Sequence, residues 1–301
     1  MHYLFQQVLN GVHTGALYAL LAFGYTLTYG VFRRTNLAYG ALFAFCGQMA
    51  ILVAVFGWNV LWLTLPATVA LGVAVSFAYA ALAGHILSRA VFAPLAGSAP
   101  NTIVAATLGV SLVLMEIGRL AAETRDFWLP PMLAYPIVFA DSGTFRVTLT
   151  LIQLINIALI AATIGFGSLY LARSRFGRAW RAVCDDARAA AMVGVNVSIV
   201  FHVAVIGGAL AAALAGALAA LYYGNISFST GLVFGLKILF LTAVGGYDSP
   251  LKSALGAAAF GLAEAIWSGY FPFEWRDAWM FAFLVALLVL RPDRELAHKP
   301  A

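Results

Sequence analysis

"IVFHVAVIGGALAAALAGALAALYY" (Ile199–Tyr223) contains no Asp, Glu, Lys or Arg. It is longer than the ~20 residues that an α-helix needs to cross about 30 Å of hydrocarbon. Its apolar character runs around the whole helical circumference, so the segment has no water-facing side. Gly208, Ala212, Gly216, Ala220 and Gly224 recur at every fourth position, which lines them along one face where a neighbouring backbone can approach closely.

Runs of the same kind fill the rest of the chain: Leu4–Phe32, Asn36–Phe56, Val60–Leu87, Thr102–Ile117 (continuing through Arg119 to Ala122), Leu149–Ala172, Leu232–Gly246, Ala254–Phe271 and Ala278–Leu290. Of the 301 residues, 63% are hydrophobic and 10% charged, whereas soluble domains carry about 25% charged residues. The expected fold is all-α: a polytopic integral membrane protein with eight or nine transmembrane helices. The count turns on Leu232–Gly246, interrupted by Lys237, and on Ala278–Leu290, both short for a full span. Two more small-residue stripes, Gly72/Ser76/Ala80/Gly84 and Ala257/Gly261/Ala265/Gly269, predict further close helix contacts. Residues 1–291 read as a single membrane domain and 292–301 as a cytoplasmic tail.

Basic residues set the expected orientation. Arg33, Arg34, Arg89, the Arg173–Arg188 cluster, Lys252, Arg291, Arg294 and Lys299 all fall on the cytoplasmic side if nine spans start outside, and the alternate connections hold only Arg125, Arg146 and Arg276. The net charge of +5 then belongs to loops facing an anionic leaflet, with no need for nucleic acid as a partner. The first apolar run is too long for a cleaved signal peptide and is expected to be retained. Glu123–Thr148, with "LPP" and "DSG", reads as an extended external loop and a possible docking surface.

Catalytic chemistry is missing from the pattern. No lysine follows a glycine-rich loop, the five histidines make no H-E-x-x-H, and no G-x-S-x-G occurs. Asp185 and Asp186 are adjacent and diverge by about 100° on a helix, a poor geometry for shared acid–base work. Cys46 and Cys184 make neither a disulfide framework nor a metal site. No catalytic residue, cofactor or metal is expected.

One stretch breaks the apolar rule: "GRAWRAVCDDARAAAMVGVNV" (Gly177–Val197), preceded by Arg173 and Arg175. As a single helix it puts Arg178, Arg181, Asp185 and Arg188 on one side and Trp180, Cys184, Ala187 and Ala191 on the other, with Gly194 as its stop. The two aspartates argue against simple adhesion to an anionic leaflet. A protein-docking helix and a solvated loop both remain open on this pattern.

The stretch resembles the cytoplasmic loop of permease subunits of branched-chain amino acid ABC importers. "GALYALLAFGYTLTYGVFRRTNLAYG" (Gly15–Gly40), "TLGVSLVLME" (Thr107–Glu116), "GLKILFLTAVGGYDSPLKSALGAAAFGLAEAIWSGYF" (Gly235–Phe271) and "LLVLRP" (Leu287–Pro292) extend the likeness almost end to end. The closer match is to the shorter, LivH-type permease of the two in such importers. The resemblance implies a translocation path for branched-chain or related amino acids, worked by alternating access in a bacterial inner membrane. It also implies a second related permease, two ATP-binding cassette ATPase subunits and an extracytoplasmic solute-binding protein. Residues about 173–197 would be a short cytoplasmic coupling helix, with Gly177, Arg178, Arg181, Asp185, Asp186, Ala190 and Gly194 meeting the ATPase. Three departures stand out: Tyr39 replaces a histidine of the family pattern, "YDSPLKS" lacks its usual turn, and the closing R-P lacks its usual extension.

Charged groups inside apolar runs cost about 2.5–3.5 kcal/mol each at a helix centre, so each should find a partner or water. Lys237 is expected to pair with Glu264, and Glu116 with Arg119 one turn away. Glu116, Lys237, Glu264, Asn36 and Tyr39 are the buried-charge or pathway candidates; a purely structural role for the charged pairs stays open beside a place on the solute path. The rival reading is a stand-alone secondary transporter or channel for a small polar solute, with Glu264 as its buried ion or proton site.

Overall fold

The computed structural model describes residues 2–95, 97–123, 125, 127–141 and 145–290. The proposed tail and the closing Arg291–Pro292 lie outside the described residues. The helices are α1 (His2–Phe32), α2 (Ala38–Asn59), α3 (Leu65–Ile86), which continues through a π-helical stretch (Leu87–Phe92) into α4 (Ala93–Leu95), and α5 (Pro100–Ala121). After a hairpin of β1 (Pro136–Asp141) and β2 (Arg146–Thr150) come α6 (Leu151–Arg173), α7 (Arg175–Asp185), α8 (Ala187–Met192), α9 (Val197–Tyr223), α10 (Thr230–Gly245), α11 (Pro250–Tyr270) and α12 (Arg276–Leu290).

Local signals explain the boundaries. Prolines open α3, α5 and α11, where a missing N–H costs nothing. Thr150 and Gln153 form a capping box at α6, and Asn196 Oδ1 accepts from Ile199 N to start α9. Gly224, at φ +75°, ends α9 in the left-handed conformation.

Each apolar run falls on a helix, but the span count differs from eight or nine. Among the described residues, 6 helices are long and apolar enough to cross a membrane, or 7 if α10 and α11, bent by 112° at their junction, count as one span. The Lys237 segment is a 16-residue helix that folds back. Among the described residues α12 has 15, about 22 Å at ~1.5 Å each, against about 30 Å of hydrocarbon.

Helices α1 and α2 form the buried centre, whereas α3, α5 and α6 turn most of their apolar surface outward. The small-residue stripes are the seams. On α3 the buried residues are Thr68, Gly72, Ser76, Ala80 and Gly84, and Ser76 Oγ donates to Cys46 O of α2 at 2.8 Å. Between α1 and α11, a methyl placed on Gly15 would lie 2.6 Å from the Ala258 carbonyl oxygen, so nothing larger than glycine fits.

The two ends of the bundle differ. At one, the β1–β2 hairpin, antiparallel with an irregularity between Val138 and Ala140, is tied to the start of α1. Gln6 Nε2 donates to Thr148 O at 2.9 Å and Gln6 Oε1 accepts from Thr148 N at 2.8 Å. This hairpin replaces part of the extended loop expected over Glu123–Thr148. The other end carries α7 and α8, anchored to the last turns of α1 by Trp180, whose Nε1 donates to Leu27 O at 3.1 Å.

Candidate functional site

Three consecutive helices, α10, α11 and α12, bring charge together near the hairpin end. Lys237 Nζ donates to Glu264 Oε1 at 2.8 Å, and each side chain is 5% exposed. Arg276 Nε, at the start of α12, lies 3.6 Å from the same oxygen. The Tyr18 ring of α1 faces the ammonium, with its centroid 4.6 Å from Nζ. Packing holds α12 in place: Met280 and Leu284 are fully buried, and Trp279 stacks on Trp267 at 4.4 Å. The expected Lys237–Glu264 pair therefore forms, joined by an arginine that the sequence reading had placed in a connection. A buried pair of this kind stabilises little in itself, but loss of either partner strands a charge.

These residues wall a cavity of about 390 Å³ shared with Gln7, Asn10, Thr14 and Ser268. An adjoining chamber of about 420 Å³ is mainly apolar, lined by Leu17, Leu21, Phe43, Ile226 and Phe234, with Trp128 from the loop before the hairpin and the polar Asn225, Ser227 and Thr230. Thr14, Tyr18, Tyr223 and Phe234 belong to both. Each volume falls within the roughly 300–1,000 Å³ typical of small-molecule sites.

Asn36 and Tyr39 lie elsewhere, where the chain turns back into the bundle between α1 and α2. Asn36 N donates to Tyr25 Oη at 3.2 Å, Leu37 N to Thr107 Oγ1 at 3.3 Å, and Ala38 N to Asn36 Oδ1 at 3.0 Å. Irregular backbone among membrane helices is tolerated where its polar groups are satisfied in this way. Tyr39 is buried with its ring edge-on to Tyr25 at 5.6 Å, and among the described residues its hydroxyl has no hydrogen-bond partner.

At the opposite end the single helix expected over Arg178–Gly194 is two. The chain leaves the helical region at Asp186 (φ −150°, ψ 108°), whose Oδ1 accepts from Arg188 N at 2.7 Å and Ala189 N at 3.1 Å and starts α8. These two amides hold the Asp186 carboxyl below its ordinary value of 3.8. The break turns Ala187 and Ala191 outward and buries Ala190, alongside Gly177, Trp180 and Val183 of α7. Arg181 donates to Leu171 O at 3.0 Å and Arg178 to Arg173 O at 3.3 Å, so both cations cap the carbonyl end of α6. Asp185 stays exposed at the end of α7. Gly194, at φ +85°, stops α8 as expected: Val195 N reaches Ala190 O at 3.0 Å and Gly194 N reaches Ala191 O at 3.1 Å, a Schellman motif. Just before it, Met192 and Val193 stand 84% and 79% exposed.

Residues 7–290 match the protein family described as "Branched-chain amino acid transport system / permease component". The chain belongs to this family. The permease is 30% identical over 296 residues to the high-affinity branched-chain amino acid transport system permease protein BraD of Pseudomonas aeruginosa, a match covering 97% of this chain and 94% of the relative. It is 29% identical over 299 residues to the LivH proteins of Escherichia coli K12 and Salmonella typhimurium, which carry the same description, covering 96% of this chain and 94% of each relative. No solved structure matches the permease. It is a multi-pass membrane protein.

The permease keeps Glu116 away from the cavity. Arg119 Nε donates to Glu116 Oε2 at 2.8 Å and Nη2 to Oε1 on the exposed side of α5, a local pair as expected. The sequence reading missed Arg276, Tyr18 and Tyr223. It also missed a readable signal on α1, where Gln7, Asn10, Thr14 and Tyr18 recur at helical spacing and interrupt an apolar helix along the face that lines the cavity.

Proposed function

We propose that this permease is the membrane-spanning subunit of an ATP-binding-cassette importer in a bacterial inner membrane. It would form the translocation path for branched-chain or related amino acids by alternating access. The observation that carries this reading, beside the family, is the α7–α8 segment: a compact pair of short helices at one bundle end, seated by Trp180 and Arg181 and presenting the apolar tip Met192–Val193. An exposed apolar tip on a charged segment is the chemistry of a protein contact, and it docks into the ATPase on the cytoplasmic side. The complex comprises a second related permease, two ATPase subunits and a solute-binding protein meeting the hairpin end. ATP closure of the ATPase pair moves α7–α8 and, through Trp180 and Arg181, the ends of α1 and α6.

The test is leucine uptake by proteoliposomes holding the assembled complex. Uptake should require ATP and persist when the proton gradient is dissipated. Met192→Asp together with Val193→Asp should abolish solute-stimulated ATP hydrolysis while the permease still inserts. Uptake that survives ATP depletion and follows the proton gradient would overturn the reading.

A further inference from the structure

The cavity near the hairpin end is divided by chemistry in a way that transport alone does not require. One chamber carries Lys237, Glu264 and Arg276 with Asn10; the other is mainly aliphatic and aromatic and carries no charged side chain, its polar residues besides Thr14 and the tyrosines being Asn225, Ser227 and Thr230, and they meet across Thr14 and Tyr18. Both cations approach Glu264 through Oε1. Among the described residues Oε2 is buried with no hydrogen-bond partner, and a buried acceptor left unmade is costly. The polar chamber holds Lys237 and Arg276 with two acids, the buried Glu264 and the half-exposed Asp277, whose Oδ1 lies 3.3 Å from Arg276 Nε. The wall therefore presents cations at Lys237 and Arg276 and, at Glu264, an acceptor for a cation.

We propose that the two chambers together form a binding site for a zwitterionic amino acid with an aliphatic side chain, its α-carboxylate at Lys237 and Arg276, its α-ammonium at Glu264 and its side chain beyond Thr14 in the apolar chamber. A ligand with only one of the two charges satisfies half of the polar wall. A ligand without a side chain leaves the apolar chamber unfilled. Selection among amino acids then begins in the permease itself. The inference rests on the proposed role in amino acid transport, and it deepens that role by giving this chain a site of its own.

The experiment uses the assembled complex in lipid nanodiscs, without binding protein, and tritiated leucine. Saturable binding is expected, with leucinamide, 4-methylpentanoate and glycine each competing about tenfold or more less well, the loss of one charge-assisted contact or of the apolar fill. Thr14→Phe, which plugs the junction, should weaken leucine binding by about tenfold or more, whereas Leu112→Phe, on the exposed side of α5 and outside both chambers, should leave it unchanged; both must assemble as wild type does. Absence of saturable binding, equal competition by leucinamide, or indifference to Thr14→Phe overturns the site. If ATP-driven leucine uptake stays normal in Thr14→Phe, the site falls and the transport role stands. Saturable, Thr14→Phe-sensitive binding by a complex that transports no aliphatic amino acid keeps the site and removes the transport role.

Discussion

Two faces of α1 could hardly be more different. Gly15 presses against α11 with no room for a methyl group and Gly11 with little, while Thr14, Leu17, Tyr18 and Leu21, on the other side of the same turns, border chambers of about 390 and 420 Å³. A helix apolar almost throughout cannot owe this contrast to hydrophobicity, because lipid, protein and an apolar chamber all accept such a surface. The difference is one of side-chain size. Small residues at four-residue spacing close the seam, and a polar-then-aromatic stripe keeps the other side open.

The contrast can be broken hardest at the charged wall. Lys237→Met leaves the buried Glu264 with Arg276 alone, 3.6 Å away, and should cost up to about 3–5 kcal/mol, read as a lowered unfolding temperature in detergent. Adding Glu264→Met should restore most of the loss. A double variant as unstable as the single one would mean that the pair itself holds α10 to α11.

Neighbouring residues sharpen the comparison next. Gly15→Val forces its side chain onto the Ala258 carbonyl and should destabilise by about 1–3 kcal/mol, whereas Thr14→Val faces the cavity and should change thermal stability little. Equal losses at the two positions would erase the distinction between the faces.

The α7–α8 end supplies a smaller effect. Nothing lies within 4 Å of a methyl placed on Gly194, so Gly194→Ala has only its φ of +85° to pay for, about 1–2 kcal/mol of local stability. Amide exchange over Ala187–Met192 should accelerate while exchange in the α1–α11 seam stays unchanged.

The mildest test is pH. Asp186 has a folded value below its ordinary 3.8, so its cap contributes fully above that value and is lost as pH falls through the lowered one. A nitroxide on Met192→Cys should gain mobility on acidification below about pH 4, and Asp186→Ala should show that mobility already at pH 7. A label equally ordered at every pH would show that packing of Ala190 alone holds α8.

Period and composition made the membrane fold, the three seams and both charged pairs legible, because each is a local pattern or a scarce residue type that must find a partner. The break at Asp186 was readable in principle. An aspartate before "ARAAAM" is an N-cap signal, but a neighbouring Asp185 and continuous helical spacing hid it. Arg276 was not legible: its reach to Glu264 depends on where α12 starts, which packing of Met280 and Leu284 decides. The hairpin was hidden for another reason. β1 is exposed along nearly its whole length, so no alternation of burial marks it.

Trp180 gives α1 a second allegiance. Its indole hydrogen bond to Leu27 O and its burial bind the short helices α7 and α8 to the same rod that, farther along, lies backbone to backbone on α11. On the proposed coupling, a push at Met192 would cross the break at Asp186 to Trp180 and reach α11 and the chamber walls as a tilt of α1, with no residue of the vestibule touched.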